Sequence, residues 1–102
     1  MSSYKLSLDA EKDLQDIAHY TLNAWGKKIF QQYQSGLKKQ FKAIAKKEVP
    51  RKTFSKQFPE LFVSKYRYHF IFYILSTDQT PIIIGVIHEQ RDIVSHLAER
   101  LS

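Results

Sequence analysis

Histidines, arginines and a run of lysines are the residues of this chain that could do chemistry. His88-Glu89 opens like the zinc-protease pattern HExxH, in which two imidazoles one helical turn apart meet one metal. Position 92 is Asp rather than His, and the next imidazole is His96. The pattern is broken and no metal is expected. Arg67, His69 and Tyr73 alternate along one apolar stretch and should share a face, and His88 and Arg91 close the next. Such a cluster could hold a phosphate, with arginine as charge clamp and histidine as general acid or base. The competing reading, which carries more weight, makes His69 and Tyr73 part-buried and hydrogen-bonded. Gly26, Gly36 and Gly85 are isolated, so no glycine-rich phosphate loop exists, and no GxSxG nucleophile motif is present.

Charge is the second signal. Residues 27–56 hold ten of the sixteen basic residues against one acid, Glu48, a net of +9. The remaining 72 residues carry six bases and nine acids, a net of −3. A solvated helix face is the ordinary fate of such a run. The excess also fits an acidic partner, either a nucleic acid or an acidic protein segment.

These side chains need elements to hold them. Phe70–Leu75 and Ile82–Ile87 are apolar runs of strand length, rich in β-branched and aromatic residues, on either side of the turn-like Ser76–Pro81. They predict an antiparallel hairpin over 67–88 whose arms are too apolar for exposure on either face. Residues 4–8 alternate as a short first strand, and Ser7 or Asp9 can cap the helix that follows. Ala10, Leu14, Ile17, Ala18 and Thr21 give that helix one apolar face, with its end expected near Asn23 and Trp25 as an anchor between two helices. Phe30, Tyr33, Leu37, Phe41 and Ile44 form the stripe of a second helix, which Pro50 ends or closely follows. The basic connector 50–60 pairs in part at an edge, limited by Pro59, and 61–66 is extended. Asp92 can cap a last helix with Ile93, Leu97 and Leu101 on one face. The expectation is a single α+β domain over 1–102 in the order β-α-α-β-β-β-α, a helical hairpin packed on an antiparallel sheet with a C-terminal helix. The chain has no cysteine, no apolar run near membrane length and no signal-peptide core at its start. A soluble, cytoplasmic protein is expected.

The order of motifs resembles a known family. Tyr4-Lys5-Leu6-Ser7 with Ala10, Asp13-Leu14 and Asp16-Ile17 resembles the start of ParE toxins. Tyr20-Thr21 with Trp25-Gly26 is similar to their YT…WG. His69-Phe70-Ile71-Phe72-Tyr73 is similar to their HVIFY strand, and Ile87–Asp92 with His96-Leu97 to their closing LHxRMD…HL. Where ParE members often carry an arginine before the closing Val/Ile-Leu-His, this chain has Gly85, and the lysine load of its second helix exceeds what the resemblance implies.

The resemblance implies the toxin half of a type II toxin–antitoxin pair in the RelE/ParE superfamily. ParE-type toxins bind DNA gyrase and trap its DNA-cleaved state without being enzymes, and no cofactor is implied. His88, Gln90, Arg91 and Asp92 with the last helix are the expected target contacts. The alternative within the superfamily is a RelE-type ribosome-dependent messenger RNA endonuclease, a type that often uses a tyrosine near its C-terminus, where the tail here from His96 to Ser102 has none. RNA cleavage needs a base for the 2′-hydroxyl, positive charge for the transition state and an acid for the leaving oxygen, and Arg67, His69, His88 and Arg91 would supply them. A non-toxic nucleic-acid-binding module acting through the second helix is a third reading. The implied partner is a cognate antitoxin whose disordered acidic tail folds on the toxin in a hetero-oligomer. Trp25, Phe58 and Phe62 are its expected apolar anchors, with exposed aromatics around Phe54–Phe62, and Lys38, Lys42 and Lys46 are its expected charged rim.

Overall fold

The computed structural model describes residues 3–101, so Met1, Ser2 and the tail's last residue, Ser102, lie outside the described residues. The order is β1 (Lys5–Leu6), α1 (Leu8–Trp25), α2 (Lys27–Ala45), β2 (Lys52–Ser55), β3 (Phe58–Tyr66), β4 (His69–Leu75), β5 (Pro81–His88) and α3 (Ile93–Leu101). The strands form one five-stranded sheet in the order β1-β5-β4-β3-β2. The sheet is mixed, which corrects the antiparallel expectation. β1 runs parallel to β5, with Lys5 opposite Ile82, while the other three pairings are antiparallel. The basic connector also supplies a full edge strand, β2, one strand more than expected. β3 starts at Phe58 and includes Pro59 because the β2–β3 register shifts between Thr53 and Ser55, where a missing N–H costs no regular ladder bond.

Local chemistry explains the element ends. The Ser7 hydroxyl accepts the Ala10 N–H at 3.1 Å and caps α1, while the Ser7 N–H donates to the Ile83 carbonyl at 2.9 Å. That double duty stops β1 after two residues. α1 runs two residues past Asn23, and the whole connection to α2 is Gly26, at φ 88°. Glycine tolerates that backbone, and it forces the two helices side by side. Trp25 is 66% exposed, so it is no anchor between them.

Both faces of the sheet are covered, as the apolar hairpin requires. On one face Ala10, Leu37, Phe41 and Ile44 of the helical hairpin pack on Ile71, Tyr73, Ile83 and Val86. On the other, Leu97 of α3 packs with Leu61, Phe72, Ile84 and Ile87. Ile93 is half-buried, but Leu101 at the helix end is 41% exposed, against expectation. Phe54, Phe58 and Phe62 are half-buried rather than exposed.

One glycine of α2 is needed for packing. A Cβ on Gly36 would overlap the Tyr66 hydroxyl and the ring carbon that bears it, and would lie 2.9 Å from the next ring carbon. In an open helix Gly→Ala stabilises by up to about 1 kcal/mol. Here the ring must move, so Gly36→Ala is expected to cost about 1–3 kcal/mol. A rise in the urea midpoint of the variant would contradict this packing.

Candidate functional site

The β4–β5 pairing sets His69 directly opposite His88, with their rings edge-on at 5.2 Å. Tyr33 reaches down from α2, and its hydroxyl lies 2.5 Å from His69 Nδ1 and 3.4 Å from the Tyr66 carbonyl. One phenol proton serves both contacts when His69 Nδ1–H donates to the hydroxyl and the hydroxyl donates to the carbonyl. Burial, helped by the His88 charge, lowers the His69 pKa to about 4. Burial raises Tyr33 to about 12. Both groups are neutral at pH 7, so His69 brings no charge to a phosphate.

This pair makes a testable pH signature. Folding lowers His69 from 6.5 to about 4, so over that interval the unfolded chain holds the extra proton. The stability tied to neutral His69 is complete above pH 6.5 and is lost as pH falls towards 4. Because the ring is only part-buried, screening leaves a loss of about 1 kcal/mol. Melting temperatures measured between pH 7.5 and 5 should fall in the wild type and stay flatter in His69→Gln. Equal slopes would contradict the assignment.

The ribonuclease set does not assemble as the alternation suggested. Arg67 lies in the β3–β4 turn at φ 50°, with its guanidinium over the Tyr66 ring at 5.7 Å. It does not continue the strand face of His69. Tyr73 belongs to the hairpin-covered core at 3% exposure and packs against Phe62 at 5.6 Å, where burial raises its pKa. Of the side chains in this set, those of His69 and His88 are brought into contact. Among the described residues no group of three His, Cys, Asp or Glu could hold a metal.

The closing segment forms a tight corner. His88 Nδ1 accepts the Gln90 N–H at 3.1 Å, and the Arg91 N–H donates to the His88 carbonyl at 3.0 Å. Glu89 pairs with Lys65 at 2.7 Å. Asp92 caps α3, accepting from the Ser95 N–H at 3.3 Å and its hydroxyl at 2.8 Å, which lowers its pKa. Asp92 is therefore occupied by its helix and Glu89 by Lys65, while Gln90 and Arg91 are exposed beside them.

A second constellation escaped the sequence. Where β1 ends, the outer edge of β5 has no neighbouring strand, and a bulge sets Gly85 opposite Phe72 but Ile83 opposite Tyr73. Side chains cap that edge. Asp13 of α1 accepts the Val86 N–H at 2.9 Å. Arg100 of α3 donates to the Ile84 carbonyl at 3.2 Å and grips Asp13 with two bonds, 2.7 and 2.9 Å. The pair ties the helices of opposite faces together around the sheet edge, with side chains 15% and 14% exposed. Gly85 makes room, since a Cβ there would lie 2.7 Å from Arg100 Nη1. The only sequence signal was an isolated glycine inside a strand.

The expected antitoxin anchors do not converge. Phe58 packs with the α3-side cluster and Phe62 with the cluster under the helical hairpin, while Trp25 is exposed at the α1–α2 corner. Lys38, Lys42 and Lys46 are exposed along α2. Two cavities flank this helix. One, about 70 Å³, is lined by Leu14, Ile17 and Thr21 of α1 and Phe30, Leu37 and Phe41 of α2. The other, about 220 Å³, lies at the C-terminal end of α2 among Ile44, Lys47, Arg51, Tyr73 and Gln79.

Residues 4–93 match the family model described as ParE toxin of type II toxin–antitoxin system, parDE. The chain is 31% identical over 101 residues to Toxin ParE of Escherichia coli, covering 99% of this chain and 98% of that one. It also resembles the solved chromosomal ParDE TA system from P. aeruginosa, with a TM-score of 0.72 at 14% identity over 86% of this chain and 96% of that one. That likeness is one of fold. The chain belongs to the ParE toxin family of type II toxin–antitoxin systems, and so to a class of proteins that pairs with an antitoxin. No helix of the described residues is long and apolar enough to cross a membrane.

Proposed function

We propose that this toxin acts in the cytoplasm on DNA gyrase, binding it and trapping its DNA-cleaved state, and that it does so without catalysing a reaction. The observation that carries this reading is the state of the His69 site. Within a ParE-family chain, its one imidazole pair is committed to packing, with His69 neutral and held by Tyr33. A binding role for the closing corner is supported by the exposure of Gln90 and Arg91 beside the rigid start of α3. His88 and Asp92 then hold the backbone that presents them. A cognate antitoxin with an acidic, disordered tail would neutralise the toxin by folding over it, at the cost of ordering its own chain.

Mapping message ends in cells that express the toxin separates this reading from the ribonuclease one. The gyrase reading expects intact translated messages and broken DNA. Cleavage inside translated codons, abolished by Arg91→Ala, would contradict it.

A further inference from the structure

We propose that the outer face of α2 is a docking surface for the phosphate backbone of duplex DNA. Lys27, Lys28, Lys38, Lys39, Lys42 and Lys46 are all exposed. At 3.6 residues per turn they fall within an arc of about 120°, on a helix about 28 Å long. The two ion pairs among the described residues, Lys65–Glu89 and Arg100–Asp13, involve none of them.

The stripe works against the helix that carries it. Lys27 and Lys28 stand at the positive end of the dipole, where α2 has no acidic residue and its cap, Gly26, offers no side-chain bond. Lys38, Lys42 and Lys46 repeat at i, i+4 and repel one another. A merely solvated face would gain from interspersed acids. Residues that break a local rule in this way mark surfaces kept for a partner.

The surface also identifies the partner's chemistry. The exposed large apolar side chains nearest the stripe are Trp25 and Ile29 at its N-terminal end, and among the described residues between Phe30 and Lys56 none is exposed. Protein interfaces need an apolar core and are depleted in lysine. The small apolar cavity beside Lys38 and the exposed Trp25 and Ile29 lie at the margins of the stripe, so along the stripe itself an acidic peptide would meet charge without an apolar core. A single strand would need exposed aromatics for base stacking, and this face has none. Two groups of ammonium side chains on one face, one of Lys27 and Lys28 and one of Lys38, Lys39, Lys42 and Lys46, with Gln31 and Ser35 between them, can meet backbone phosphates without reading sequence. The choice of DNA over RNA rests on the gyrase reading, which puts the toxin beside DNA held by its target.

The test is fluorescence anisotropy of a labelled 20-base-pair duplex with the full-length protein at 50 and 200 mM salt. With about six phosphate contacts, affinity should fall about a thousandfold between those conditions. The Lys38→Gln/Lys42→Gln/Lys46→Gln variant, whose changes are all at exposed positions, should keep its circular dichroism and lose about three from the salt slope. An unchanged slope in the variant, or no wild-type binding at 50 mM salt, overturns the proposal. Equal affinity for a 20-residue glutamate peptide overturns it in favour of an acidic protein segment, and tighter binding of an RNA duplex overturns the choice of DNA. The assay contains no gyrase, so its failure leaves the gyrase reading standing, and failure on gyrase leaves the stripe standing.

Discussion

Asp13→Ala is expected to cost about 3 kcal/mol of stability, within the range for breaking a desolvated ion pair from one side. Three losses coincide at this carboxylate. The Val86 N–H loses its acceptor at the sheet edge. Arg100 loses both its bonds to Asp13 while its side chain stays 15% exposed. The side-chain link between α1 and α3 around β5 is then gone, and Arg100 keeps only its bond to the Ile84 carbonyl. For a chain of this length each kcal/mol shifts the melting temperature by about 4–8 °C, so the variant should melt more than about 10 °C lower. Arg100→Met removes the opposite charge and leaves Asp13 its Val86 bond, so it should cost less. The double variant should cost less than the sum of the two. Additive losses would show that the pair is not coupled and that the edge is held by packing alone.

The second large effect concerns function. Arg91 is exposed at the corner that leads into α3, and its side chain has no partner in the fold among the described residues. Under the gyrase reading it is free to act as an interface anchor, a role in which arginine is enriched. Arg91→Ala should then raise the concentration for half-inhibition of gyrase about 30-fold, the equivalent of about 2 kcal/mol, with the melting temperature unchanged. Asp92→Ala should show the opposite profile. Its carboxylate caps α3 through Ser95, so its loss should loosen the helix and lower stability before it weakens a contact. Potency unmoved by Arg91→Ala would put the contact surface elsewhere.

The helices and the hairpin were legible because their signals are local. The stripe from Phe30 to Ile44 and the two apolar runs each declare their period within one element, and their excess of apolar residues demanded cover on both faces. The parallel pairing of β1 was not legible, since two residues carry too little pattern to choose a neighbour from the far end of the chain. Arg67 was misplaced because Tyr66-Arg67-Tyr68-His69 alternates like a strand, while the chain turns there at φ 50° without the usual Gly or Asn. Asp13 and Arg100 lie 87 residues apart. Asp13 reads locally as a helix-dipole residue, and only the closed sheet edge shows why it faces an arginine. Gly85 likewise makes sense only in the fold, because Arg100 approaches the space that a side chain there would fill.

The central claim is that this ParE-family chain poisons gyrase by binding, and incubation of the purified, folded protein with gyrase and relaxed plasmid tests it most directly. The account predicts that micromolar toxin blocks supercoiling and that denaturation with detergent then releases linear, cleaved DNA, both effects disappearing when the cognate antitoxin is added. Full supercoiling with no cleaved DNA at that concentration would contradict it.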